Sequence, residues 1–177
     1  MNWFNLTIIA LGLILGYAKN REQSAASGPP VAPGKTEKAA GSKSDKPWRS
    51  DSLDDLIEAS KISLDPLQRH MLLAKIITKI YPQRSDVRMK KIFQRFARMH
   101  LAELPELAPV LKSEHGGSLP AIPTFKLSAI VFEEEENYEA AMAVCQMALE
   151  LGIDDGTKSG FSGRLKRLQK KQQRRQA

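Results

Sequence analysis

Residues 124–156, "TFKLSAIVFEEEENYEAAMAVCQMALELGIDDG", decide how this chain folds. Phe125, Ala129 and Phe132 recur at the spacing of one helix face until an acidic run, 133–136, interrupts them. Beyond Asn137 the apolar spacing resumes from Tyr138 to Leu151 through Ala141, Cys145, Ala148 and Leu149, and Gly152 supplies a helix stop. The pattern predicts one helix to about Glu135, a turn at Glu136 and Asn137, and a second helix over 138–151. Cys145 is the only cysteine of the chain and falls in mid-helix. A thiol nucleophile needs a basic neighbour or a helix N-terminus to lower its pKa. Val144, Gln146 and Met147 provide neither, so Cys145 reads as a small packing residue.

The same residues resemble a tetratricopeptide repeat, a helix-turn-helix unit with a period of about 34 residues. Phe125 matches the bulky residue early in the first helix, Ala129 the small residue at the helix crossing, and Phe132 the apolar position one turn on. Asn137-Tyr138-Glu139 matches the turn, and Ala141, Cys145 and Ala148-Leu149 match the second helix. Ser128 replaces the usual Leu, and Ile153 stands where Pro often closes the unit. The resemblance implies stacked antiparallel hairpins and a peptide-binding inner surface formed by first helices. Carried over to this chain, that surface draws on Lys126, Ile130, Glu133 and Glu134.

Upstream, "SDSLDDLIEASK" places Leu53, Leu56 and Ile57 at i, i+3, i+4 behind Ser and Asp caps. Asp65-Pro66 opens a longer helix whose apolar stripe (Leu67, Met71, Ala74, Ile77, Tyr81) is widened by Leu72, Leu73, Ile76 and Ile80. Ser85 or Asp86 caps the next, with Met89, Phe93, Phe96 and His100 along one face and Arg84, Arg88, Lys91, Arg95 and Arg98 along the other. Pro105 and Pro109 are expected to end this helix, leaving "KSEHGGSLPAIP" as a loop. The pair over 65–104 has the size of a second hairpin unit. In "GFSGRLKRLQ", Phe161, Leu165 and Leu168 at i, i+4, i+7 are suited to cap the stack.

The chain has 177 residues and a net charge of +7. Charge is uneven along it: seven bases against three acids over 18–49, eight bases and no acid over 157–177, and twelve against seventeen between. The basic balance therefore belongs to the two ends, and the middle is acidic. One cysteine excludes an intramolecular disulfide, and His70, His100 and His115 make no i, i+4 ligand pair, so no metal or cofactor is expected. "DGTKSGFSGR" has glycines and a lysine ahead of a helix. It departs from the phosphate-loop pattern and follows no strand, which favours a tight interhelical turn.

Met1 to Ala18 carries no side-chain charge and is aliphatic at its centre, with Trp3 and Tyr17 near the ends. As a helix it spans about 26 Å, the short end of what crosses a bilayer. Lys19 and Arg21 follow it, which the positive-inside rule reads as a retained anchor with its N-terminus out and the remainder cytoplasmic. The competing readings are a cleaved signal peptide, which makes the mature protein secreted or periplasmic, and a buried terminal helix. Residues 19–50, rich in Gly, Pro, Ala, Ser and Lys, have the composition of a flexible linker.

The expected organisation is all-α: a single transmembrane helix (1–18), a disordered linker (19–50), a TPR-like antiparallel hairpin domain (51–168) and a basic tail (169–177). The expected function is that of a membrane-tethered protein-protein interaction or scaffold protein without catalysis, its protein partner unspecified. Two alternatives remain open. One is a nucleic-acid- or ribosome-associated factor acting through Arg164, Lys166, Arg167, Lys170, Lys171, Arg174 and Arg175, bases that also suit nonspecific attraction to anionic surfaces, whether RNA, anionic lipid or an acidic protein. The other is an exported periplasmic adaptor. The acidic run 133–136 with Glu139 is free to solvate, to meet a basic partner, or to pair with the chain's own C-terminal end.

Overall fold

Six α-helices account for most of residues 49–176, the part of the chain that the computed structural model describes. The expected membrane anchor (1–18) and nearly all of the expected linker lie outside the described residues. Among the described residues there is no strand, and no helix is long and apolar enough to cross a membrane. The helices are α1 (Leu53–Ala59), α2 (Pro66–Ile80), α3 (Val87–Glu114), α4 (Pro123–Glu134), α5 (Tyr138–Leu151) and α6 (Gly160–Gln176). The domain is all-α.

Local chemistry sets most of the boundaries. The Ser52 hydroxyl accepts from the Asp55 amide, Asp65 from the amides of Leu67 and Gln68, Asp86 from Met89, and Asn137 from Ala140. Each satisfies amides that a helix start leaves without an intrahelical acceptor. Gly152 ends α5 in the left-handed region at φ 76°, and the amide of Ile153 reaches back to the Ala148 carbonyl at 2.8 Å. Ile153 then tucks its buried side chain against the helix it closes, which gives this position a use for an apolar residue in place of proline. α4 ends with the same motif, Asn137 N–H to Phe132 C=O at 2.9 Å, but the left-handed position is occupied by Glu136 at φ 57°.

The expectation that Pro105 and Pro109 end α3 is overturned, since the helix runs through both to Glu114. The apolar stripe explains why. His100, Leu101, Leu104, Leu107, Ala108 and Leu111 continue the buried face without a break. Both prolines sit on the exposed side, so their rings take no place in the packed face. An interior proline costs about 3 kcal/mol, and burying several leucines at about 1.5–3 kcal/mol each exceeds that.

Side-chain pairs give the directions. Arg69 meets Glu103 at 2.8 Å, His70 meets His100 at 2.8 Å, and Tyr81 lies against Phe93 with ring centroids 6.1 Å apart, so α2 and α3 are antiparallel. His100 with Thr124 and Gln94 with Glu135 make α3 and α4 antiparallel. Phe125 with Phe161 and Glu133 with Lys171 set α6 parallel to α4. Thus α2, α4 and α6 run one way, and α3 and α5 the other.

Two apolar clusters fill the stack. The first joins Leu56 of α1, five residues of α2 and Phe93, Phe96 and Ala97 of α3 to Val131 of α4. The second joins the C-terminal half of α3 to Phe125, Ala129, Ala141, Cys145, Ala148, Phe161 and Leu168 of the last three helices. α3 therefore serves both. If its continuity depends on the buried stripe, Leu111→Ala should cost about 2–5 kcal/mol, whereas Pro105→Ala should add about 1–3 kcal/mol; urea unfolding followed by circular dichroism measures both.

Candidate interaction surface

The acidic turn between α4 and α5 is where the charged side chains converge. Glu134 takes a bidentate pair from the Arg84 guanidinium (2.9 Å), and Glu135 accepts from the Gln94 amide at 2.6 Å with the Lys90 ammonium at 3.5 Å. On the other flank Glu133 meets Lys171 at 2.7 Å and Arg164 at 3.8 Å, Glu136 meets Arg175 at 3.4 Å, and Glu139 accepts from the Gln172 amide at 3.4 Å. One short acidic segment therefore holds α3 on one side and α6 on the other. Of the three fates the sequence left open for this run, pairing with the chain's own C-terminal helix is observed for Glu133, Glu136 and Glu139, whereas Glu134 and Glu135 pair with Arg84, Lys90 and Gln94, which the sequence reading did not offer.

These contacts sort the sequence-predicted residues. Lys126 donates to the Asp155 carbonyl at 3.2 Å, Glu133 faces α6, and Glu134 faces Arg84. Ile130 lies half-buried in the same row of α4. Of the basic candidates, Arg164, Lys171 and Arg175 are turned toward carboxylates, and Arg167 reaches the Ser159 hydroxyl at 3.4 Å. Lys166, Lys170 and Arg174, at i, i+4, i+8, form an exposed outward row with no ion pair among the described residues. The residues set apart as a tail, 169–177, continue α6 to Gln176.

The glycine-rich turn ahead of α6 carries its own anion. The Thr157 amide and hydroxyl both donate to Asp155 Oδ1, at 2.9 and 2.6 Å, and the Arg164 guanidinium lies 3.7 Å from Oδ2. Burial works to raise the Asp155 pKa, but the Thr157 hydrogen bonds and the charges of Arg164 and Lys126 outweigh it and hold the carboxyl below its ordinary range.

Cys145 has no exposed surface, and burial pushes its thiol up to about 11. Such a thiol stays protonated at neutral pH. A thiol-specific reagent at pH 7.5 should label it only as fast as the domain unfolds, and rapid stoichiometric labelling of the native protein would contradict the packing assignment.

A buried relay escaped the sequence pattern. His100, 1% exposed, uses both ring nitrogens: Nδ1 lies 2.7 Å from the Thr124 hydroxyl and Nε2 lies 2.8 Å from His70 Nδ1. Either direction of proton ordering satisfies the chain, Thr124 O–H donating inward or His70 N–H donating inward. The relay ties α2, α3 and α4 where the two apolar clusters meet. Burial, then the neighbouring His70 and Arg69, lower the His100 pKa to about 3; burial, then His115, lower that of His70. Between about pH 6.5 and pH 3 the unfolded chain therefore binds more protons than the folded one, and stability falls as pH falls. His100 should contribute a slope of up to about 1.4 kcal/mol per pH unit, read as the urea midpoint against pH and diminished in His100→Gln.

No family model, no curated protein and no solved structure matches this chain.

Proposed function

We propose that this chain is a membrane-tethered interaction or scaffold protein whose helical domain is TPR-like and non-catalytic. The observation that carries the reading is the alternation of the stack: α2, α4 and α6 share one direction, each first helix lies beside the next, and α6 caps the last hairpin through Phe161 and Leu168. The positions behind the resemblance support it too, because Phe125, Ala129, Ala141, Cys145 and Ala148 all have no exposed surface. The row Lys126, Ile130, Glu133 and Glu134 remains the proposed partner surface; its three charged members already bond within the domain, so a partner would meet the half-buried Ile130 and share or displace those contacts. Residues 1–18 are proposed to anchor the chain with the domain on the cytoplasmic side.

The second reading, a nucleic-acid- or ribosome-associated factor, draws on the outward row of Lys166, Lys170 and Arg174. Deleting the C-terminal segment would remove Leu168 from the core, so neutralising these three residues is the cleaner comparison. Partners recovered by pull-down of the intact chain should survive Lys166→Gln/Lys170→Gln/Arg174→Gln and be lost on Ile130→Ala. Loss with the triple change alone, together with a salt-steep RNA mobility shift in the unaltered chain, would favour the second reading. Carbonate-resistant membrane pelleting that disappears on removal of residues 1–18 tests the anchor.

A further inference from the structure

The solvent face of α3 carries a cationic surface that the proposed function leaves unused. Arg88, Lys91, Arg95 and Arg98 recur there at i, i+3, i+7, i+10, all four exposed and without an ion pair among the described residues. At 1.5 Å per residue the row is about 15 Å long and straight. Ala102 and Pro105 extend the same side, the exposed Glu106 bounds the cationic row at that end, and Val87, 64% exposed, stands at its start. The row is held outward because its neighbours are fastened: Arg84 to Glu134, and Lys90 and Gln94 to Glu135.

We propose that this face of α3 docks on the anionic phospholipid headgroups of the membrane to which the chain is tethered, laying the domain against the leaflet. The proposal rests on the tether reading given above. A straight row on the solvent face of a helix fits a plane, and Val87 offers an exposed aliphatic side chain to the headgroup layer. The exposed large apolar side chains among the described residues, Ile62, Met71, Val87, Val110 and Leu149, include no aromatic beside the four bases, and single-stranded nucleic acid uses aromatic platforms for stacking. A base held near an anionic leaflet strengthens association roughly fivefold, and four such bases roughly several hundredfold. That is weak for a free protein. Under the tether reading the second contact is intramolecular, and its effective concentration, in the millimolar range for short flexible connections, strengthens so weak an attraction.

The test uses the full chain carrying Ala102→Cys, labelled with an environment-sensitive dye and reconstituted into vesicles of phosphatidylcholine with or without phosphatidylserine. Cys145 is fully buried and remains unlabelled. The expected result is a blue-shifted emission at least several-fold larger on the serine-containing vesicles, lost at high salt. It should also be lost in Arg88→Gln/Lys91→Gln/Arg95→Gln/Arg98→Gln with circular dichroism unchanged, and kept in Lys166→Gln/Lys170→Gln/Arg174→Gln. Equal emission on neutral vesicles, or retention in the quadruple variant, overturns the proposal. So does an RNA oligonucleotide that binds through the same four residues and abolishes the vesicle signal. Flotation separates this from the tether: a chain retained by vesicles through a carbonate wash without a dye shift refutes the α3 surface alone. A chain that floats only with anionic vesicles at low salt, with the shift, refutes the anchor alone.

Discussion

The domain depends on α3 remaining one helix. Its first half closes the cluster built from α1 and α2, and its second half closes the cluster built from α4, α5 and α6. A helix that stopped at Pro105 would leave Leu107 and Leu111 without a scaffold and open the second cluster along one side. The constraint is resolved by position: the residues least suited to a helix interior occupy the side with no packing duty, and the opposite side keeps its leucines in register.

Electrostatics then fixes how the helices are turned about their axes. Four consecutive glutamates would repel one another in an unpartnered turn. Here they divide, Glu134 and Glu135 to the α3 side and Glu133 and Glu136 to α6. Most of these pairs are partly exposed, and an exposed pair contributes about 0.2–1 kcal/mol. Their larger effect is geometric. Arg84 and Lys90 on one side and Arg164, Lys171 and Arg175 of α6 on the other are drawn to the acidic turn, while other bases of α3 and α6 face solvent, so the turn helps determine which bases the molecule presents.

Periodicity and cap chemistry made the helices legible in the sequence. Asp65-Pro66, Asp86, Asn137 and Gly152 act through contacts two to five residues away, and local spacing reports such contacts directly. The extent of α3 was not legible in the same way, because a breaker rule weighs the proline and not the tertiary burial of Leu107 and Leu111. The histidine relay was missed for a related reason. An i, i+4 search sees one helix, while His70 and His100 meet only when α2 lies antiparallel to α3. A signal was present, since His100 continues the Phe93–Phe96 face and a buried imidazole requires partners. For the acidic turn, charge alone left three fates open; the direction of α6 brings it to Glu133, Glu136 and Glu139, and the antiparallel α3 brings bases to Glu134 and Glu135.

Leucine and isoleucine contacts are non-directional, and helices joined by them alone have neighbouring registers of similar energy. His100 changes that at the centre of the stack. Its two nitrogens point in fixed directions and are matched by one residue from α2 and one from α4. Sliding either helix by a turn, about 5.4 Å, would strand a buried ring nitrogen without a partner. The relay thus works as a key between three helices, excluding the misaligned packings that the surrounding apolar side chains would otherwise tolerate.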